Sequence, residues 1–218
     1  MISAVARATL HLLAGLLLVA NGEVSAASWQ AAGMSFSDEL GGFRLLSASG
    51  AGTPDDPVVL VEEITGIRPA ILVIRSFGPR TDGGISTPSR RILTLSLVKI
   101  VINRSRVRWS GFDLELRQTR DRPSRYDDGL SFDQLEAIDS VIRSDRFDDA
   151  LQVNEPIDRI EFDHGVVAPH EQARLAFKIL DVNPRPTFYL LQEPAVLLTE
   201  DTDATPPIML AAQPVPRP

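Results

Sequence analysis

Between Phe43 and Glu193 apolar and polar positions alternate in short runs, set apart by glycine, proline and aspartate, and no stretch carries a long apolar stripe at helical spacing. In 112–117, Phe112, Leu114 and Leu116 fall on one face while Asp113, Glu115 and Arg117 fall on the other, the pattern of a strand with one wet side. Ala173, Leu175, Phe177 and Ile179 alternate in the same way with Gln172, Arg174 and Lys178. Strands are predicted at 43–49, 58–65, 70–77, 91–103, 107–118, 157–163, 171–180 and 187–193. Eight such runs predict an all-β fold, a two-sheet antiparallel β-sandwich. Trp109 is out of phase with Phe112, and Ser110-Gly111 between them predicts a bulge that turns the indole into the core.

The connectors GAGTPDDP (50–57) and FGPRTDGG (77–84) combine glycine, proline and aspartate, and read as loops. The segment 119–156 is long and irregular for a sandwich connection, which marks it as a place for function. Within it, Ser131 and Gln134 have capping-box spacing, so a short helix over Ser131–Ile138 is predicted. Residues 27–42 read as a polar lead-in, 43–194 as the sandwich domain, and 195–218, with prolines at 206, 207, 214, 216 and 218, as a disordered tail.

The chain begins with Arg7, an apolar run from Leu12 to Ala20, polar Asn21-Gly22-Glu23 and small residues at Val24 and Ala26. This order predicts a signal peptide over 1–26, cleaved after Ala26 with Ala27 as the alternative, and a periplasmic or secreted protein. The apolar run is about half the length needed to cross ~30 Å of hydrocarbon, and Lys99 interrupts the strongest later run at 92–102, so no membrane span is expected once the leader is removed. The absence of cysteine removes disulfides and thiolate metal sites, leaving hydrophobic burial to carry stability. The leader takes one Arg and one Glu with it, so the mature chain keeps the net charge of −7, which disfavours a nucleic-acid partner.

His164 and His170 flank GVVAP, whose Gly165 and Pro169 suit a connection between strands; the third histidine, His11, departs with the leader. The two are therefore read as turn residues rather than metal ligands or bases. The acidic run 125–149 supplies Asp127, Asp128, Asp133, Asp139, Asp145, Asp148 and Asp149, oxygen ligands of the kind calcium takes, but an EF-hand register on Asp128-Gly129 fails at Ser124, Tyr126 and Leu135. Ser96 and Lys99 match a serine–lysine spacing that works only on a helix; on a strand they face opposite ways. Gly50-Ala51-Gly52 lacks the lysine–serine ending of a phosphate loop. Arg104, Arg106 and Arg108 alternate around a predicted hairpin and form a positive strip, a grip for an anionic partner or a soluble edge. Asn103-Arg104-Ser105 is a glycosylation sequon. No catalytic, cofactor or metal residue is assigned.

An ordered series runs through N103-R-S-R-V-R-W-S-G-F-D-L-E-L, D128-G-L-S-F, S144-D-R-F, I160-E-F-D-H-G-V-V-A-P and F188-Y-L-L-Q-E-P. Over about 98–194 it resembles the β-sandwich domain of exported proteobacterial proteins of the PEP-CTERM and choice-of-anchor kind. In that pattern an asparagine turn, a tryptophan and an aromatic-rich strand precede a Ser-Asp-x-Phe segment, a Gly-x-Val-x-Pro-Gly turn and a last strand ending in Gln-x-Pro. His170 stands where the pattern has glycine, and no membrane-spanning run or arginine cluster follows Pro194. The resemblance implies a secreted or periplasmic sandwich without that anchor, and it brings no catalytic residues.

The expectation is therefore an exported, non-enzymatic β-sandwich protein that binds a glycan or protein partner of the envelope or extracellular space, needing no cofactor. Two alternatives stand beside it: an exported hydrolase using His164 or His170 as its base, and a calcium-dependent binding module.

Overall fold

Alternation at period two becomes sheet wherever a second sheet is present to cover the apolar faces. The computed structural model describes residues 26–77, 92–125, 127–133, 142–153 and 155–197. They contain thirteen strands: β1 (Ser28–Ala31), β2 (Met34–Ser37), β3 (Phe43–Ser49), β4 (Val58–Ile64), β5 (Ala70–Ser76), β6 (Leu93–Asn103), β7 (Gly111–Arg117), β8 (Leu130–Phe132), β9 (Arg143–Ser144), β10 (Phe147–Val153), β11 (Arg159–Gly165), β12 (Gln172–Asp181) and β13 (Thr187–Ala195). One sheet has the order β1-β2-β5-β13-β7-β11-β10, the other β3-β4-β6-β12-β8, with β9 also paired to β12. The fold is an all-β two-sheet sandwich. Among the described residues no helix is long and apolar enough to cross a membrane.

One core lies between the sheets. Phe112, Leu114 and Leu116 of β7 are fully buried, as are Phe188 and Leu190 of β13, and they share a cluster with Val58, Leu60, Leu97, Leu175 and Phe177 from the other sheet. Each such side chain contributes about 1.5–3 kcal/mol by leaving water, which lets a cysteine-free chain hold together. Trp109 is fully buried against Phe112, with ring centroids 5.8 Å apart, and it bridges to Val167 before β7 begins at Gly111. The out-of-phase indole therefore does enter the core.

Residues 27–42 are not merely a lead-in: β1 and β2 extend the larger sheet, and Met34 and Phe36 are core residues. Glycine and serine around them mask a strand only four residues long. The pairing is not wholly antiparallel, because β4 and β6 run parallel over Val58–Ile64 and Leu97–Asn103, their connection passing through β5 in the opposite sheet. β6 and β7 do not form a hairpin; the turn 104–110 carries the chain from one sheet to the other. Ser131, expected to start a helix, lies inside β8, paired with Leu180; residues 134–138 of that predicted helix lie outside the described residues. β13 continues to Ala195, past the expected start of the tail, and the tail from 198 onward is outside the described residues, as is the leader through 25. The polar face of β7 is less wet than expected, since Glu115 is buried and Asp113 half-buried beneath their arginine partners.

Candidate functional site

The two ends of the sandwich differ in chemistry. At one end the β1–β2 turn, the β3–β4 loop, the start of β6 and the β12–β13 loop surround a cleft of about 840 Å³. The β3–β4 loop is pinned by the Asp56 carbonyl, which accepts from the backbone N–H groups of Ala51, Gly52 and Thr53, while Gly52 O accepts from Ser96 N and ties the loop to β6. Val182, Asn183, Pro184, Arg185 and Pro186 all reach the cleft from an exposed loop. Ile92 at 60% and Val182 at 40% exposure give the rim an apolar character, and Arg185 is its cation. The 119–156 excursion touches this end too, where Gly129 O accepts from Val182 N at 2.8 Å.

At the opposite end sit both histidines, and they are not brought together on a shared partner. His164, closing β11, contacts the exposed Asp149 of β10 at 2.9 Å through Nδ1. His170 contacts Arg104 at 3.4 Å, and its N–H donates to Asn103 O. Both have left-handed backbone, φ 56° and 71°, the conformation glycine adopts most easily. At neighbouring Gly165 an added Cβ would collide with the Arg146 carbonyl oxygen. His164 has an acid to orient it, but no serine or threonine hydroxyl contacts either imidazole among the described residues.

The sequon is structural. Asn103 is fully buried; its Nδ2 donates to Val107 O and Val167 O, while Oδ1 accepts from the Ser105 N–H and hydroxyl. Trp109 Nε1 donates in turn to Ser105 Oγ at 3.2 Å. Asn103-Arg-Ser is thus the hub of the inter-sheet corner. Of the arginine strip, Arg104 donates to Glu63 Oε1 at 2.8 Å, and Arg106 and Arg108 are exposed.

The acidic run disperses. Asp127 faces Arg125, Asp128 accepts from Arg125 N and Leu130 N within its own turn, Asp133 pairs with Lys178 at 3.1 Å, and Asp145 accepts from Arg174 N. Asp148 is exposed, Asp149 serves His164, and Asp139 is outside the described residues. Among the described residues no group of three or more His, Cys, Asp or Glu is arranged to hold a metal ion.

Three interior features escaped the sequence reading. Lys99 and Glu62 are both fully enclosed and form an ion pair at 2.8 Å, and Gln192 Nε2, from the opposite sheet, donates to the same Glu62 oxygen at 3.4 Å. Burial lowers the pKa of Lys99, opposed by the Glu62 carboxylate. Asp158 is fully buried with neither carboxylate oxygen bonded among the described residues, and burial, reinforced by Asp128, raises its pKa to about 7. Asp181 is fully buried as well, with Oδ1 accepting from Asn183 N and Oδ2 unbonded; burial raises its pKa. The trio had a signal in the chain: Glu62 is in phase with Val58, Leu60 and Ile64, Lys99 with Leu95, Leu97 and Val101, and Gln192 with Phe188 and Leu190. Asp158 had none, because it precedes β11 in irregular chain.

No protein-family model, curated protein or solved structure matches this chain.

Proposed function

We propose that the protein is an exported, non-enzymatic binding module of the periplasm or extracellular space, and that the end cleft receives an extended segment of a partner protein. Export is supported by Arg7, the Leu12–Ala20 run and the small residues at Val24 and Ala26. The observation that carries the binding role is the cleft, where loops from both sheets meet around an apolar rim that also holds Arg185. Loop-lined ends are where a rigid sandwich can vary its surface without disturbing its core. Among the described residues that line the cleft the apolar side chains that meet a ligand are aliphatic, with the cation Arg185, which favours a polypeptide over a glycan as the occupant. Aliphatic side chains of a partner would meet Ile92 and Val182, and a carboxylate would meet Arg185.

A photo-crosslinking amino acid at Asn183, in the cleft, compared with one at Arg106, at the far end, tests this in intact cells. A discrete protein adduct from position 183 that is absent from position 106 supports the reading. Adducts from 106 alone, from neither position, or to a carbohydrate contradict it. N-terminal sequencing of the same material is expected to begin at Ala27, and retention of Met1 would contradict export by this leader.

A further inference from the structure

Three strands from two sheets place a primary amine, a carboxyl group and a carboxamide together in the buried interior. Lys99 of β6 and Glu62 of β4 are fully enclosed, as is Gln192 of β13. One oxygen, Glu62 Oε2, contacts both Lys99 Nζ and Gln192 Nε2, while Glu62 Oε1 and Gln192 Oε1 have no hydrogen-bond partner among the described residues. Two buried acceptors without donors beside a buried ion pair is an arrangement that native interiors seldom keep.

We infer that this trio is a self-modification site at which Lys99 and Gln192 join in an amide bond, with Glu62 carrying the protons. Burial disfavours the ammonium form of Lys99, which makes the uncharged, nucleophilic amine accessible. Lys99 first passes one proton to Glu62. The free amine then attacks Cδ of Gln192, forming the new C–N bond. Glu62 gives its proton to Nε2 and takes one from the attacking nitrogen. The Cδ–Nε2 bond breaks and ammonia leaves. Nothing is oxidised or reduced, and no co-reactant is needed. The product interior holds a neutral amide and a protonated carboxyl in place of an ion pair, and the carboxyl can donate to an acceptor that now has none. The bond would tie β6 to β13 and so staple the two sheets covalently in a chain that has no cysteine.

Intact-mass spectrometry of the purified, folded full chain, followed by tryptic mapping, decides the matter. The expected mass is about 17 Da below that of the chain with its measured N-terminus, the loss of one ammonia. Mapping is expected to find 92–104, uncleaved at Lys99, joined to the segment carrying Gln192. Lys99→Arg, Gln192→Ala and Glu62→Gln each restore the full mass. A free peptide ending at Lys99 from folded wild-type protein would overturn the inference even if the variants fail to fold. A deficit of about 18 Da that persists in Gln192→Ala, the signature of a Lys99–Glu62 amide with loss of water, would overturn the assignment to Gln192.

Discussion

Glu62 and Lys99 have exchanged water for each other completely, and that makes them interdependent. Removing one partner strands a charge in the core, whereas replacing both with apolar side chains restores ordinary packing. Neither Lys99→Met nor Glu62→Leu can form the Lys99–Gln192 bond, so these variants report the unbonded core, in which the double variant Glu62→Leu/Lys99→Met is expected to be more stable than either single one by about 3–5 kcal/mol in urea denaturation. Asp158 behaves differently, since its carboxylate has no partner to lose among the described residues. Its folded pKa of about 7 lies above the ordinary carboxyl value, so the folded state holds the proton more tightly. Stability from this group is full below about pH 4 and is lost as pH rises to about 7. Asp158→Asn is therefore expected to raise Tm by about 3–8 °C at pH 8 and to leave it nearly unchanged at pH 4, read by calorimetry across that range. The sequence made the two kinds of residue unequally legible. Glu62 and Lys99 sit at inward positions of long alternating strands and are visible to anyone who keeps phase, but charged residues are habitually read as outward. Asp158 sits in irregular chain, where burial is decided by tertiary contacts that alternation does not encode.

Turns in this molecule are specified by hydrogen bonding as much as by glycine and proline. The corner from β6 to β7 is organised by Asn103, whose amide satisfies two carbonyls and two donors from residues 105, 107 and 167. Asn103→Ala is expected to cost about 2–4 kcal/mol, because it orphans several buried groups at once, and the loss should appear as a lower urea midpoint with an unchanged m-value. At the end of β11, Gly165 lies so close to the Arg146 carbonyl that Gly165→Ala must displace β10, and a large fall in soluble yield is the expected outcome. The histidine turn was legible because Gly165 and Pro169 punctuate it. The destination of the Asn103 turn was not: turn chemistry states that a chain reverses, but not whether it re-enters the same sheet or crosses to the other. The same ambiguity hid the parallel β4–β6 pairing, since both strands read alike whichever neighbour they take.

As a whole, the molecule closes its sandwich with elements taken from its less regular stretches. β2 pairs with β5 and β1 with β2, Met34 and Phe36 enter the core, and Trp29 Nε1 reaches across to Leu45 O at 3.3 Å, joining the edges of the two sheets. Asp38 reinforces this edge by accepting from Leu45 N and Ala27 N. A chain beginning at Gly42 is accordingly expected to lose the cooperative unfolding transition that a chain beginning at Ala27 shows, measured by calorimetry. The all-β class and the sandwich architecture could be read from periodicity, while the cleft could not, because it is made by four separate connections that only the folded topology brings together. β4 and β13, from opposite sheets, face each other through Glu62 and Gln192, and the packing of the whole core follows from that contact. Nuclear Overhauser contacts between the side-chain protons of these two residues test it most directly. Strong cross-sheet contacts together with slow amide exchange in both strands are expected. Contacts confined to neighbours within each sheet, with amides of β4 and β13 exchanging as freely as surface loops, would contradict it.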